Sequence, residues 1–149
     1  MNELFMKEAL KEAQIAYKKN EIPIGCVIVY NDKIIAKAHN LRENKKNALY
    51  HAEILAINKA CKKLHSWRLD ECDIYITLEP CPMCSGAIIQ SKIKNIYFGA
   101  YDHKTGMAGS KANLFDIKFN YEPNVMGGIL EEECSMLIKD FFKELRKEK

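Results

Sequence analysis

Residues 73–84, Asp73-Ile74-Tyr75-Ile76-Thr77-Leu78-Glu79-Pro80-Cys81-Pro82-Met83-Cys84, pass straight from a strand into a helix. Asp73 to Leu78 is the β-branched and aromatic run of a strand. Pro82 falls in the first turn of the helix, where its missing N–H has no helical partner to lose. Cys81 and Cys84 then stand one turn apart and point the same way. A strand that delivers two thiols to a helix N-terminus commits this part of the chain to α/β architecture, and the flanking segments agree.

Upstream, His51 to Leu64 reads as a helix with Ile54, Leu55, Ile57 and Ala60 on its apolar face. Ile24 to Tyr30 is a near-continuous apolar run, as in a strand covered on both faces. Asn31-Asp32 supplies a tight turn, and Lys33 to Ala38 returns as the hairpin partner. Residues 2–19 form an opening helix, capped by Asn2 and stopped near Asn20, with Met6, Leu10, Ala13 and Tyr17 at helical spacing. His39 to Tyr50 is a loop.

Downstream, the cysteine helix continues to about Ser91 and Asn95 to Ala100 is a strand. Tyr101 to Asn113 is a Gly-containing loop, and a weaker strand lies at Asn124 to Met126. Glu131 to Lys147 is the last helix, acids in its first turn and bases in its last, as the helix dipole favours. Its expected buried stripe is Leu130, Cys134, Leu137, Ile138, Phe141 and Leu145. The order α-β-β-α-β-α-β-β-α predicts a three-layer α/β/α sandwich around a central mixed five-stranded sheet, because only helices on both faces would cover such apolar strands. With no linker, repeat or low-complexity segment in 149 residues, positions 1–149 are expected to form a single domain.

The chemistry rests on the two helix starts. His51 and Glu53 open one helix; Cys81 and Cys84 open the next. Three nitrogen or sulfur donors with one acid beside them is how a catalytic zinc site is built, since a structural zinc takes four protein ligands and a catalytic one keeps a corner for water. His51, Cys81 and Cys84 are therefore the expected ligands and Glu53 the proton carrier. Two thiolates and a neutral imidazole cancel the charge of Zn²⁺, so the centre acidifies water less than an all-histidine site. A neighbouring base then matters more, and hydrolytic deamination of an amino-substituted heterocycle is the reaction class that fits. His-x-Glu alone is too common to carry weight, and an isolated Cys-x-x-Cys also serves redox proteins. A structural zinc would need a fourth ligand, for which only His65 and Cys72 are near, neither in a second knuckle-like spacing.

Composition narrows the remainder. Hydrophobic residues make up 48% and charged ones 29%, an ordinary soluble balance, and no apolar run is long enough to span a bilayer. The first residues, MNELFMKEALKEA, show no secretory leader, so the cytoplasm is the expected location and the six cysteines need not form disulfides. Cys26, Cys61 and Cys134 are expected in the core, and Cys72 takes no role. The net charge of +3 decides nothing about partners. The run Lys139 to Lys149 reads, by charge alone, as a solvated helix face, and Phe142 as a core edge.

His51-Ala52-Glu53 followed by Pro80-Cys81-x-x-Cys84 resembles the signature of the zinc-dependent cytidine deaminase superfamily. Glu21–Gly25, Ala38–Asn40, Ser66–Leu69, Thr77–Pro80, Gly99–Gly106 and Phe141–Arg146 resemble the bacterial tRNA-specific adenosine deaminases, over nearly the whole chain. The resemblance implies a cytidine deaminase-like fold, one Zn²⁺ per subunit, and conversion of the wobble adenosine of an arginine tRNA anticodon to inosine. It also implies a homodimer in which each RNA contacts both subunits, with no organic cofactor and no membrane. Asn40 should hydrogen-bond the flipped base, and the backbone near Cys81–Cys84 should help bind the zinc-side oxygen. Family members often carry Asp-Pro-Thr-Ala before His-Ala-Glu, where this chain has Asn47-Ala48-Leu49-Tyr50.

An extruded RNA base needs cations for phosphate and planar groups for stacking. Phe142, Lys143, Arg146 and Lys147 on the last helix, and Asp102, His103, Lys104 and Lys111 on the loop, are the groups on offer. Asp102, Lys104, Phe142 and Arg146 are the expected substrate contacts with Asn40. Trp67 and Arg68 are expected to brace the loop before the third strand. Competing readings are a deaminase of free guanine or cytosine, and a noncatalytic zinc-stabilised RNA-binding module.

Overall fold

The computed structural model describes residues 1–148; Lys149, the end of the charged run, lies outside the described residues. The elements are α1 (Glu3–Lys18), β1 (Gly25–Tyr30), β2 (Lys33–His39), α2 (Ala52–Leu64), β3 (Asp73–Leu78), α3 (Pro82–Ser91), β4 (Asn95–Ala100), β5 (Asn124–Met126) and α4 (Glu131–Lys147). They form one five-stranded sheet in the order β2-β1-β3-β4-β5. β1 runs antiparallel to β2 and β3, while β3–β4 and β4–β5 are parallel, so the sheet is mixed.

Period-two alternation splits β1 and β3 between two cores. Cys26 and Ile28 of β1, with Ile74 and Ile76 of β3, face Ala52, Ala56 and Ala60 of α2 and Ile88 of α3. Val27, Val29 and Tyr75 face the other way, onto Met6 and Ala9 of α1 and Cys134 of α4. Helices therefore cover both sides, in the three layers that the apolar strands require. Gly25 lets α1 lie directly on β1, since a Cβ there would collide with the Ala9 carbonyl. The β1–β2 turn is made by Asn31 and Asp32, both at positive φ, the left-handed pair that matches the twist of a two-residue hairpin. Thr77 Oγ1 accepts from the Gly25 N–H at 3.0 Å and pins β1 to β3 just below the site.

Two expectations are corrected. Leu145 is 41% exposed rather than buried, although it stands one turn after Phe141, which is buried with its ring on Tyr17 of α1. Leu130 is the cap that precedes α4, held at φ +52, and packs partly buried against the same core as Cys134. Of the pair expected to brace the loop before β3, Arg68 does so through Asp70 and Ser66, whereas Trp67 is 62% exposed and touches the loop through the Arg68 guanidinium over its ring. A short 3-10 turn at Leu114–Asp116, which the hydrophobic pattern does not announce, packs near α3.

Candidate metal centre and catalytic cavity

Helices α2 and α3 begin side by side, and the donors are their caps. His51 is the N-cap of α2 and Cys81 the N-cap of α3, both in extended backbone, with Cys84 in the first turn behind Cys81. Neither cap uses its side chain on its own helix, which leaves imidazole and thiol free for a ligand. His51 Nδ1 lies 3.7 Å from Cys81 Sγ and 3.5 Å from Cys84 Sγ, and the three donor atoms all fall within 4.8 Å of one another. A tetrahedral ion with metal–nitrogen bonds of about 2.05 Å and metal–sulfur bonds of about 2.3 Å holds nitrogen and sulfur about 3.6 Å apart. The triangle therefore fits zinc, and among the described residues no fourth His, Cys, Asp or Glu joins it. His65 caps the far end of α2, a 13-residue helix, which puts it about 20 Å from His51. Cys72 is buried in the core under α2.

Electrostatics agree with a thiolate site. The Cys81 thiol is pulled down to about 4, chiefly by the hydrogen bond from Cys84 and also by His51. Cys84, facing that thiolate, is pushed far up and holds its proton in the metal-free protein. The hydrogen bond to Cys81 raises His51. Glu53, in the first turn of α2 and only 4% exposed, is pushed up to about 7 by burial. A carboxyl poised there exchanges protons readily at neutral pH.

The triangle opens on a cavity of about 530 Å³ that His51, Glu53 and Cys81 line on one side. Ile22, Ile24, Leu78 and Ala100 give it apolar walls, and Tyr101 to Thr105 with one face of α4 complete the rim. Ser135, Ile138, Lys139 and Phe142 are the α4 residues that line it. Their spacing of three and four continues to Arg146, which stands on the same stripe one turn beyond the mouth. Lys143 and Lys147 belong to the other stripe, and line a groove against Tyr17 and Lys18 of α1. The expected contacts thus separate: Lys104 and Phe142 border the cavity, Arg146 lies past its rim, and Lys143 and Lys147 face away.

Asp102 also borders the cavity; its carboxylate shapes its own turn, accepting from the Lys104 and Thr105 N–H groups and the Thr105 hydroxyl, and Oδ2 keeps a lone pair free. Asn40 is buried and is not among the cavity's lining residues. It donates to the Ile22 carbonyl at 3.3 Å and accepts from the Arg42 N–H at 3.1 Å, holding the turn out of β2. Lys139 was missed by motif reasoning, although its place one turn before Lys143 and Phe142 on an amphipathic helix was a usable signal. Glu79, between β3 and Cys81, was also given no role.

Known proteins point the same way. A model of the MafB19-like deaminase family matches residues 1–146. A tRNA-specific adenosine deaminase of Bacillus subtilis (strain 168) is 51% identical over 149 residues, covering 99% of this chain and 92% of that protein. A solved structure from studies of A-to-I editing by tRNA:A34 deaminases at the wobble position superposes with a TM-score of 0.85 at 36% identity, over 91% of this chain and 99% of that one. A guanine deaminase from Bacillus subtilis is 40% identical with a TM-score of 0.64, over 68% of this chain and 66% of that one.

Proposed function

The chain belongs to the MafB19-like deaminases and groups with the tRNA-specific adenosine deaminases, and from that premise we propose how its residues turn the wobble adenosine of a tRNA anticodon into inosine. His51, Cys81 and Cys84, whose donor atoms converge, would hold one Zn²⁺ per subunit. When bound, the ion supplies Lewis acidity that makes a water nucleophilic at neutral pH. Glu53 takes the proton of the water that adds to C6 of adenine and delivers it to N1. It then carries the second proton to the leaving amino group, so water enters, ammonia leaves and C6 becomes a carbonyl. Burial, which raises Glu53 to about 7, is what lets one carboxyl both accept and donate.

The apolar walls from Ile22, Ile24 and Leu78 suit a purine face, and Phe142 offers an aromatic edge at the rim. Lys104 and Arg146 meet the RNA backbone with Asp102 beside them at the rim, and Asn40, whose amide also holds the Ile22 carbonyl, hydrogen-bonds the flipped base. Residues 1–149 act as one deaminase domain, in the cytoplasm and without an organic cofactor. We place a homodimer contact on the α2–α3 face, where exposed Trp67 stands beside Ile57, Cys61 and Ala87. Sedimentation at increasing concentration tests that contact. No helix among the described residues is long and apolar enough to cross a membrane.

The observation that carries this reading is the convergence of the donor triangle and a buried glutamate on one open cavity. The likeness to guanine deaminase favours a second reading, hydrolysis of a free base. That superposition spans 68% of the chain at a TM-score of 0.64, against 91% and 0.85 for the structure from studies of tRNA:A34 deaminases. Purified zinc-loaded protein offered an anticodon stem-loop, free guanine and free cytosine should form inosine in the RNA. Ammonia from a free base, with no inosine in the stem-loop, would reverse the assignment.

A further inference from the structure

Glu79 is a fully buried carboxylate outside the donor triangle, placed between the last residue of β3 and Pro80-Cys81. Its Oε1 accepts from the Asp102 N–H at 3.0 Å, and its Oε2 from Ala108 at 2.9 Å and Ser110 at 3.0 Å. The Ser110 hydroxyl donates to Oε1 as well. Among the described residues no cation is paired with it. A buried carboxylate without a counter-ion is costly unless its lone pairs are filled. Here every donor comes from one nine-residue stretch, 102–110, so the side chain and the loop need each other.

The loop is shaped to receive that group. A Cβ on Gly106 would collide with the Glu79 carboxylate and the Asp102 carbonyl, so the absence of a side chain there makes the seat. Gly106 N–H donates to the Asp102 carbonyl at 2.8 Å and Met107 N–H to the Pro80 carbonyl at 2.9 Å, closing the loop over the start of α3. The part so enclosed, Asp102 to Thr105, is the part that lines the cavity. One short connection, Glu79-Pro80-Cys81, therefore grips the loop at one end and carries a metal donor at the other.

We propose that Glu79 is a positioning residue for the RNA substrate: its carboxylate is the template on which residues 102–110 fold into the cavity wall, at a fixed offset from the zinc. The inference rests on the deaminase reading above. Glu79 borders the cavity, but its carboxylate is turned to the loop, so it acts by placing His103, Lys104 and Thr105. Glu21 is the natural control. It is equally buried and accepts from Glu43 N–H at 3.0 Å, Asn44 N–H at 2.7 Å and the Asn44 amide, yet the 43–44 turn it holds does not line the cavity.

The test compares Glu79→Gln with Glu21→Gln in the zinc-loaded full chain. Gln keeps the shape of Glu79 but brings donors of its own into a ring of donors. In Glu79→Gln, hydrogen exchange at the Asp102, Ala108 and Ser110 amides should quicken about tenfold or more while Glu43 and Asn44 stay as in the parent. KM for an anticodon stem-loop should rise about tenfold, with the larger part of the loss in KM rather than kcat, and zinc content should hold. Glu21→Gln should show the opposite exchange pattern and a smaller effect on KM. If Glu79→Gln does not fold, Ser110→Ala removes a single donor and should give the same pattern at reduced size. Unchanged exchange in the loop, or a loosened loop with a parental KM, overturns the proposal. Failure of the parent protein to edit the stem-loop defeats the functional reading instead, and the exchange data still decide whether Glu79 shapes the loop.

Discussion

Glu53→Gln should make the protein inactive and, above neutral pH, more stable. The carboxyl rises from 4.5 to about 7 on folding because burial disfavours its charge. At about 1.4 kcal/mol for each tenfold change in proton affinity, folding with an ionised Glu53 costs the metal-free protein about 3 kcal/mol. The sign comes from proton counting. Below pH 4.5 the group is protonated in both states and contributes no penalty. As pH rises from 4.5 toward 7 the unfolded chain gives up the proton and the folded one keeps it, so stability falls; above 7 the loss is complete. Glutamine carries no charge to bury, so the variant escapes this loss.

Urea unfolding of chelator-treated parent and variant should show the variant ahead by about 3 kcal/mol at pH 8 and by under about 1 kcal/mol at pH 5. Cys81 and His51 also titrate, but they do so in both proteins and drop out of the difference to first order. Turnover of the zinc-loaded variant should fall by about 10²–10⁴, the usual worth of a general acid–base, with zinc content unchanged. A variant no more stable than the parent at pH 8, or a difference that does not shrink toward pH 5, would refute the claim that Glu53 is held ionisable against its burial.

Replacing Cys84 with Ser should leave the core intact but cut zinc occupancy measured by elemental analysis, since a buried hydroxyl replaces one of two thiolates, with affinity down about tenfold or more. Thr77→Val keeps shape but strips the acceptor from the buried Gly25 N–H, and thermal or urea unfolding should register a loss of about 1–3 kcal/mol. Arg146→Ala should weaken stem-loop binding and flatten its salt dependence by about one unit of log–log slope, whereas Lys147→Ala, on the stripe that faces α1, should change both far less. Filter binding across a salt series separates the two.

Much of the architecture was legible because the chain states it twice. Ile24 to Tyr30 and Asp73 to Leu78 are apolar on both faces, which demands helices above and below, and the helices in between carry apolar stripes of matching length. The donor set was legible for a similar reason: helix starts can be read locally, and both ligand runs are helix starts. What escaped depends on long-range packing. Leu145 shares its periodic stripe with Cys134 and Phe141 yet is 41% exposed, because burial also needs a neighbouring element at that height, and helical periodicity cannot see that. The split between Arg146 and its neighbours Lys143 and Lys147 depends on which side of α4 meets α1. Asp102 reads only as an acid on the loop in the linear chain; in space it also forms a turn, accepting from Lys104 and Thr105.

The division of labour in this molecule has a consequence for its adaptability. The reagents, His51, Glu53, Cys81 and Cys84, are planted in two inner helices rooted in the sheet, whereas the border of the cavity is borrowed from the Tyr101–Thr105 loop and the flank of a distal helix. The donors and the rim thus sit on separate pieces of chain, with the apolar walls Ile22, Ile24 and Leu78 between them. Altering the borrowed pieces while sparing the seat of Glu79 should retune which nucleobase is admitted and leave the hydrolytic apparatus untouched, so a library confined to residues 101–105 and to Ser135, Ile138, Lys139, Phe142 and Arg146 is the economical place to look for new substrates.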